Sequence, residues 1–376
     1  MFRIMVEELR AIFTTRTIAS VMLGGPLAYA LMFGGVYSQG RVRQAPIMVV
    51  DQDHSALSRN LIQMLRANDS VRVEELATST SQFAQEVQNG RVWACVSIPQ
   101  GFEKTIERGR QTRVLVSVDG GNTLYANVIL KSLRTVMGTF RAGVRASRLS
   151  AEGMPELIAL ATAQPIGAEF RPLFNPTYNY GTFILVGLMC IALQQCTMMG
   201  GVTGLSRPQR TTSVAAGIEL TGKTLAHLCV MLPVSAIALS LPFTAFGSFF
   251  HGDWRLLATG CVIATIVNIW SGFGLAATVN RPVTAVQLLL CASVPIFVLS
   301  GYTYPTLAEP QAFQTVAGWM PLTHYWHIAR CVALIGAPGS AIASDVLAIA
   351  LWLPVTLAWA WWAVRVFRRR RGSEAT

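Results

Sequence analysis

This sequence is short of charge, and the shortage is concentrated in blocks. Asp, Glu, Lys and Arg make up 13% of the chain, with 19 acidic residues against 30 basic ones. Residues 18–37 hold no charged side chain. Apolar runs at roughly 183–199, 225–246, 256–279, 283–302 and 346–367 hold no Asp, Glu, Lys, Arg or His away from their ends. Ion-coupled transporters need an ionisable residue at membrane depth to bind the driving ion, so this absence argues against a proton- or sodium-driven pump. Any uphill movement would draw its energy from a partner. Metal and disulfide chemistry are missing as well. The seven cysteines form no CxxC pair and no Cys/His cluster. Cys190, Cys196, Cys229, Cys261 and Cys291 fall in or beside apolar runs, where a free thiol behaves as a small hydrophobe. Cys95 belongs to an expected buried strand, and Cys331 to a loop beyond the fifth run. No Ser/His/Asp or Cys/His set for nucleophilic catalysis stands out. The first apolar run lacks a small-x-small cleavage site, so it does not read as a secretory signal. No internal repeat is evident.

What is present is hydrophobicity: 52% of residues are apolar and mean hydropathy is +0.45. Each of the six runs can supply the ~20 residues that a helix needs to cross a bilayer. Helices are the default spanning element because they satisfy their own backbone hydrogen bonds in lipid. The expected fold class is an α-helical polytopic membrane protein with six transmembrane helices and an inserted extracytoplasmic α/β domain. Arg3, Arg10 and Arg16 precede the first span, Arg207, Arg210 and Lys223 separate the second from the third, and Arg281 separates the fourth from the fifth. Arg365 and residues 368–371 close the chain, whereas the short opposite loops carry only Arg255 and Arg330. By the positive-inside rule both termini are cytoplasmic. The net charge of +11 then reflects topology and anionic membrane lipids rather than nucleic acid.

Along the chain, residues 1–17 read as a cytoplasmic amphipathic helix lying in the membrane interface, because Phe2, Met5, Val6, Leu9, Ile12 and Phe13 recur at helical spacing. Residues 18–38 are the first transmembrane helix, 39–177 the extracytoplasmic α/β domain, and 178–376 the remaining five spans. Within the insert, strands are expected at 47–50, 71–73, 92–98 and 114–118. Helices are expected at 55–66, 81–89, 102–108 and 124–149. Asp51, Asp53 and Asp119 end strands, and turn or cap roles before Ser55 and Asn122 explain them better than catalysis does.

Residues 217–224 match the G-x-x-x-x-G-K-[ST] pattern of a phosphate-binding loop. That loop must be fed by a strand and must open a soluble helix whose N-terminus faces the phosphates. Here residues 210–216 are polar and small, and a membrane span follows. The match is therefore read as chance, and Lys223 is expected to reach the lipid headgroups. His324 and His327 share a helical face, but an aromatic interfacial turn with Tyr325 and Trp326 accounts for them better than a metal does.

Three stretches carry a family resemblance: Ser300-Gly301-Tyr302-Thr303-Tyr304-Pro305, then Met320-Pro321-Leu322-Thr323-His324-Tyr325-Trp326, then Arg330 with Gly336. Together they resemble a signature of the type 2 ABC exporter permeases, of the subgroup with a large extracytoplasmic domain between the first two spans. Residues 51–59, Ile98-Pro99 with Phe102 and Gly109, Val118-Asp119, Phe174-Asn175-Pro176, and Glu219 with Gly222 and Lys223 are similar to further family elements. The resemblance implies an outer gate with re-entrant helices over about 303–340, carried by Ser300, Gly301, Tyr304, Pro305, Pro321, Tyr325 and Arg330. It also implies a cytoplasmic coupling loop over about 203–223, in which Arg207, Gln209, Arg210, Thr211 and Thr212 contact an ABC ATPase subunit. This loop departs from the family pattern, because residues 206–213 contain no acid.

On the same resemblance, no catalytic residue, metal or cofactor belongs to this chain, and ATP with magnesium sits on the partner. A second permease, identical or paralogous, would complete the pathway, and the external domain would cap it or dock a periplasmic adaptor protein. Gln194, Gln195, Asn268 and Gln287 are the candidate pathway residues, suited to an amphipathic, lipid-like or drug-like cargo. The expected location is the bacterial inner membrane. The rivals are a membrane receptor whose external domain binds a ligand, and a membrane-embedded enzyme.

Overall fold

A computed structural model describes residues 1–77, 81–166, 171–207, 214–279 and 281–373. The chain is mostly helical, and among the described residues six helices are long and apolar enough to cross a membrane. It divides into two compact units, one made of Met1–Gly40 with Pro172–Thr376 and the other of Arg41–Arg171.

Helix α1 (Phe2–Thr14) is amphipathic, and Ile4, Glu8 and Ile12 form its buried face at a spacing of four. Extended Thr15 ends it. The first candidate span, Arg16–Val36, then runs as α2 (Arg16–Ala19), a π turn (Ser20–Gly24) and α3 (Gly25–Val36). Pro26 follows the π turn directly. Proline cannot donate to the ladder and displaces it, which accounts for the irregular turn at this point.

In the second unit the order is β1 (Ala45–Asp51), α4 (Ala56–Arg66), β2 (Val71–Ala77), α5 (Gln82–Gln88), β3 (Ala94–Ile98), α6 (Phe102–Glu107), β4 (Leu115–Val118), α7 (Thr123–Ala151) and α8 (Glu156–Ala163). The sheet order is β2-β1-β3-β4, with β1 parallel to both neighbours and β4 antiparallel to β3. Strand side chains alternate between faces. Ile47 and Val49 therefore meet Leu61, Leu65, Ile129 and Leu133 on one side, while Met48, Val50 and Cys95 meet Phe83 and Val87 on the other. Burial on both faces explains why β1 reads as an unbroken apolar run. Helix α8 was not foreseen from the sequence.

The three aspartates act as caps and turns. Asp51 accepts from the backbone N–H of Asp53 and His54 at 3.0 and 3.1 Å, and from the Ser58 hydroxyl at 2.8 Å. Asp53 accepts from Phe102 N and Glu103 N, both at 3.0 Å, and so caps α6 from a distant loop. Glu103 returns the favour to α4 by accepting from Leu57 N at 3.1 Å. Asp119 closes a turn onto Gly121 N at 2.8 Å, and Asn122 caps α7.

The first unit continues with α9 (Tyr180–Ser206), α10 (Ala216–Thr244), α11 (Trp254–Val279) and α12 (Pro282–Leu299). A 3-10 turn (Thr306–Ala308) follows, then α13 (Gln311–Trp319), α14 (Pro321–Arg330), a π turn (Cys331–Ile335) and α15 (Gly339–Ser373). Helix α9 is the hub, buried along most of its length. It meets α11 backbone to backbone: a methyl on Gly272 would lie 2.4 Å from the Met198 carbonyl oxygen, and one on Gly201 would lie 2.8 Å from that of Ile269. Small residues allow such approach where no hydrophobic force separates helix–helix from helix–lipid contact.

Helices α10 and α15 begin earlier than expected, at Ala216 and Gly339. Glu219, Lys223 and Asp345 thereby enter helices and join His227, already within the expected run, which corrects the view that the apolar segments lack ionisable residues away from their ends.

Asp53→Ala should expose the N-terminus of α6 at a cost of about 1 kcal/mol. The check is thiol labelling of Cys95, buried in β3, read by peptide mass spectrometry on the full chain. The expected outcome is roughly fivefold faster labelling.

Candidate functional site

The last turn of α9 leaves carbonyl groups without partners inside the helix, and such groups need outside donors. Here cations from two other helices provide them. Lys223 of α10 donates from Nζ to the Gly204 carbonyl at 2.7 Å. Arg371, near the end of α15, donates from Nη2 to the carbonyls of Leu205 at 3.2 Å and Arg207 at 3.0 Å. Positive charge at a helix C-terminus is favourable on dipole grounds too. Two carboxylates balance the cations. Glu8 of α1 accepts from Arg207 Nη2 at 2.6 Å and from Lys223 Nζ at 3.2 Å, and Glu219 accepts from Arg371 Nη1 at 3.1 Å. His227 completes the cluster, its ring nitrogens 2.9 and 3.0 Å from the carbonyls of Lys223 and Gly200.

Glu8 and Lys223 are 6% and 1% exposed, so neither charge is solvated by bulk water. Burial pushes the Glu8 carboxyl up, but the charges of Lys223, His227 and Arg207 outweigh it and hold the group below its ordinary value. The four elements can meet only because the residues between them are small. A methyl on Gly204 would lie 2.6 Å from the His227 ring, and one on Gly222 would lie 2.9 Å from Ile4.

Lys223 therefore does not reach the headgroups: its amine is engaged by Glu8 and by the end of α9. Residues 217–224 lie within α10, so their N–H groups run along a helix and form no phosphate-cradling loop. Of the expected ATPase contacts, Arg207 joins the cluster, and its Nη1 is buried without a hydrogen-bond partner among the described residues. Gln209, Arg210, Thr211 and Thr212 lie outside the described residues.

At the other end of α9, Asn179 caps the helix by accepting from Thr182 N at 3.2 Å, and Asn175 clamps Asn179 through two bonds of 2.9 Å. The 300–330 motif folds against this end. Tyr302 donates to the Phe183 carbonyl, stacks on the Phe183 ring at 5.2 Å, and meets Trp326 edge-on at 4.9 Å. Gly187 leaves the space it occupies, since a methyl there would lie 2.3 Å from its ring. Ser300 is fully buried, and its carbonyl accepts from Trp326 Nε1 at 2.8 Å. Gly301 turns the chain at φ +81°, and a side chain there would also strike Thr306.

Pro305 precedes the 3-10 turn and Pro321 opens α14. Tyr325 is buried, whereas Tyr304 and Arg330 are exposed. Tyr302 was the residue to single out. It stands in the quoted motif, but its partners Phe183 and Gly187 are more than a hundred positions away.

A second constellation joins α14 to α15. His324 Nδ1 and His327 Nδ1 bond the two oxygens of Asp345 at 2.8 and 2.7 Å. His324 Nε2 also faces the Gly318 carbonyl at 2.9 Å, so both of its nitrogens are satisfied as donors only in the protonated ring. The hydrogen bond that each histidine donates to Asp345 raises both rings, that of His327 to about 10. Among the described residues no group of three or more His, Cys, Asp or Glu has metal-site geometry. Of the candidate pathway residues, Gln194, Gln195 and Asn268 are buried and Gln287 is exposed on α12. The Gln195 amide has no hydrogen-bond partner among the described residues.

The family model described as "ABC-2 family transporter protein" matches residues 16–362, from the first span to the last. The chain belongs to the ABC-2 transporter family. Three relatives support the assignment. An Escherichia coli protein named inner membrane transport permease YhhJ is 21% identical over 89% of each chain. The Bacillus subtilis linearmycin resistance permease protein LnrN is 21% identical over 91% of this chain and 92% of its own. The probable multidrug ABC transporter permease YbhR of Escherichia coli is 22% identical over 88% of each. No solved structure matches. This ABC-2 protein is thus the permease of an ABC exporter, and the receptor reading is not favoured, since the match takes in the spans and the insert alike.

In this permease, Glu8→Ala should cost ~3–5 kcal/mol by leaving buried cations unpaired, and adding Lys223→Met should recover part of that loss. Thermal denaturation of the purified chain in detergent checks both. Asp345→Asn should lower stability by about 1–2 kcal/mol at pH 6, allowing for the partial exposure of the histidines. A raised histidine stabilises the fold below its unfolded value and ceases to do so as pH rises through its folded value. The melting-temperature gap to wild type should therefore be widest near pH 6 and close towards pH 10; a gap independent of pH would count against the ion pairs.

Proposed function

We propose that this ABC-2 permease works in the bacterial inner membrane with both termini cytoplasmic, driven by a separate ATPase subunit that binds ATP and magnesium. The observation that carries this reading is the buried cluster around Glu8. It ties α1, the end of α9, the start of α10 and the tail of α15 into one block next to residues 208–213 in the chain. A push applied at this block reaches four helices together rather than bending one, which is what a coupling element needs. The basic residues at this end support placing it in the cytoplasm.

On that topology the Arg41–Arg171 unit is an extracytoplasmic α/β domain, and the 300–330 motif is the outer gate with its re-entrant helices. A second permease completes the pathway against the weakly buried α12, with its exposed Val283, Leu288, Val294 and Val298. The external domain caps this path or docks a periplasmic adaptor protein, and membrane lipids cover the remaining apolar faces. An amphipathic, lipid-like or drug-like cargo is supported by the buried amides of Gln194, Gln195 and Asn268 within apolar helices, and by relatives named for multidrug transport and linearmycin resistance.

Affinity purification of the tagged chain from its native membrane tests the reading. An ABC ATPase should co-purify, Arg210→Glu should reduce its recovery about tenfold through lost charge-assisted contacts, and an azido-ATP probe should label that subunit alone. Failure to recover any ATPase, or labelling of the peptide that carries residues 217–224, would count against it.

A further inference from the structure

A groove of about 1000 Å³ opens within the Arg41–Arg171 unit, between α7 on one side and α6 with the segment leading into β4 on the other. Its base is the stacked pair Phe102 and Phe140, with ring centroids 6.0 Å apart. Its walls are Ile106, Val114, Met137 and Val144, all apolar and all only partly buried. Its rim carries Arg110, Arg134, Arg141, Arg145 and Arg148, with Glu152 as the sole acid among the lining residues. The five arginines are exposed, and none of their guanidinium groups forms an ion pair or side-chain hydrogen bond among the described residues.

The sequence of α7 makes this arrangement costly when the groove is empty. Its 29 residues include Lys131, Arg134, Arg141, Arg145 and Arg148 and no Asp or Glu. Like charges three or four positions apart repel along a helix, and nothing on α7 offsets them. The apolar stripe Leu133, Met137, Phe140 and Val144 recurs at helical spacing, and part of it stays open to the groove. One kind of occupant relieves both conditions: an apolar tail against the stripe and an anionic head among the arginines. Arginine suits that head, because its fork of donors matches carboxylate, sulfate and phosphate oxygens. The volume is that of a small-molecule pocket at the upper end of the usual range.

We propose that this groove is a binding site for a single-chain amphiphile with one anionic head group. Binding does not require that the chain transport its ligand. Failure of the ATPase to co-purify and failure of the groove to bind are therefore separate results.

The test uses the full chain in nanodiscs of zwitterionic phosphatidylcholine, irradiated with a diazirine-bearing palmitate and mapped by peptide mass spectrometry. Saturable labelling is expected on peptides covering residues 102–116 and 130–149, competed by dodecyl sulfate and unaffected by inorganic phosphate. Arg141→Glu with Arg145→Glu, two exposed positions, should weaken labelling roughly tenfold. Thiol protection of Cys95 should stay at the wild-type level and so report an intact sheet. Val144→Gln, on the apolar wall, should weaken labelling without any change of charge. Equal labelling by the palmitate methyl ester, displacement by inorganic phosphate, or undiminished labelling in the double variant with Cys95 still protected would overturn the proposal. Absence of groove labelling would do so too, leaving the surface to an acidic segment of a protein partner.

Discussion

The membrane unit depends on how one helix ends. Helix α9 runs through its middle, and its last carbonyl groups lie where neither a continuing helix nor bulk water satisfies them. Lys223 and Arg371 supply the missing donors, and Glu8 and Glu219 make those cations tolerable in a buried setting. Each part is unfavourable without the others: a buried lysine alone, a buried glutamate alone or a bare helix terminus would each cost several kcal/mol. Their mutual dependence fixes where α1 lies, because Glu8 has to be brought to the cluster, and Gly204 and Gly222 have to leave room for it.

The same logic governs the other end of α9 with different chemistry. There the helix is capped by Asn179, and the packing is aromatic: Tyr302 fills the gap left by Gly187 and is held by Phe183 and Trp326. Next to it, Asp345 binds two histidines of α14. One end of the hub is thus tied by buried ions, the other by rings and by an ion triad at the foot of α15. These ties join α1, α9, α10 and α15 at one end and α14 with α15 at the other.

Much of this was legible in the chain. The six apolar runs, the amphipathic start and the strand–helix order of the insert all appear as local periodicity, although α8 carries no such signal and α10 and α15 start earlier than their apolar runs. The aspartates near residues 51, 53 and 119 were read as turn and cap residues, and the hydrogen bonds agree. Lys223 was misread, because a lysine at the start of an apolar run ordinarily turns outward, and nothing near it in sequence identifies Glu8 as its partner. Asp345 was missed because the sixth span was expected to begin just after it, which made it look like a loop residue. The arginines of α7 carry no such signal in the sequence, since only the fold shows that they border an apolar groove.

By itself the sequence determined the number of apolar helices, the alternation of strands and helices in the insert, and the local caps at Ser55 and Asn122, since these rest on side-chain spacing and on bonds between near neighbours. The tertiary structure decided which charges are neutralised, which glycines are indispensable and where an apolar face stays uncovered. Glu8 and Lys223 are 215 residues apart, and no local pattern encodes a meeting over that distance. It follows from the packing of whole helices, and only then does an ordinary lysine become a buried one.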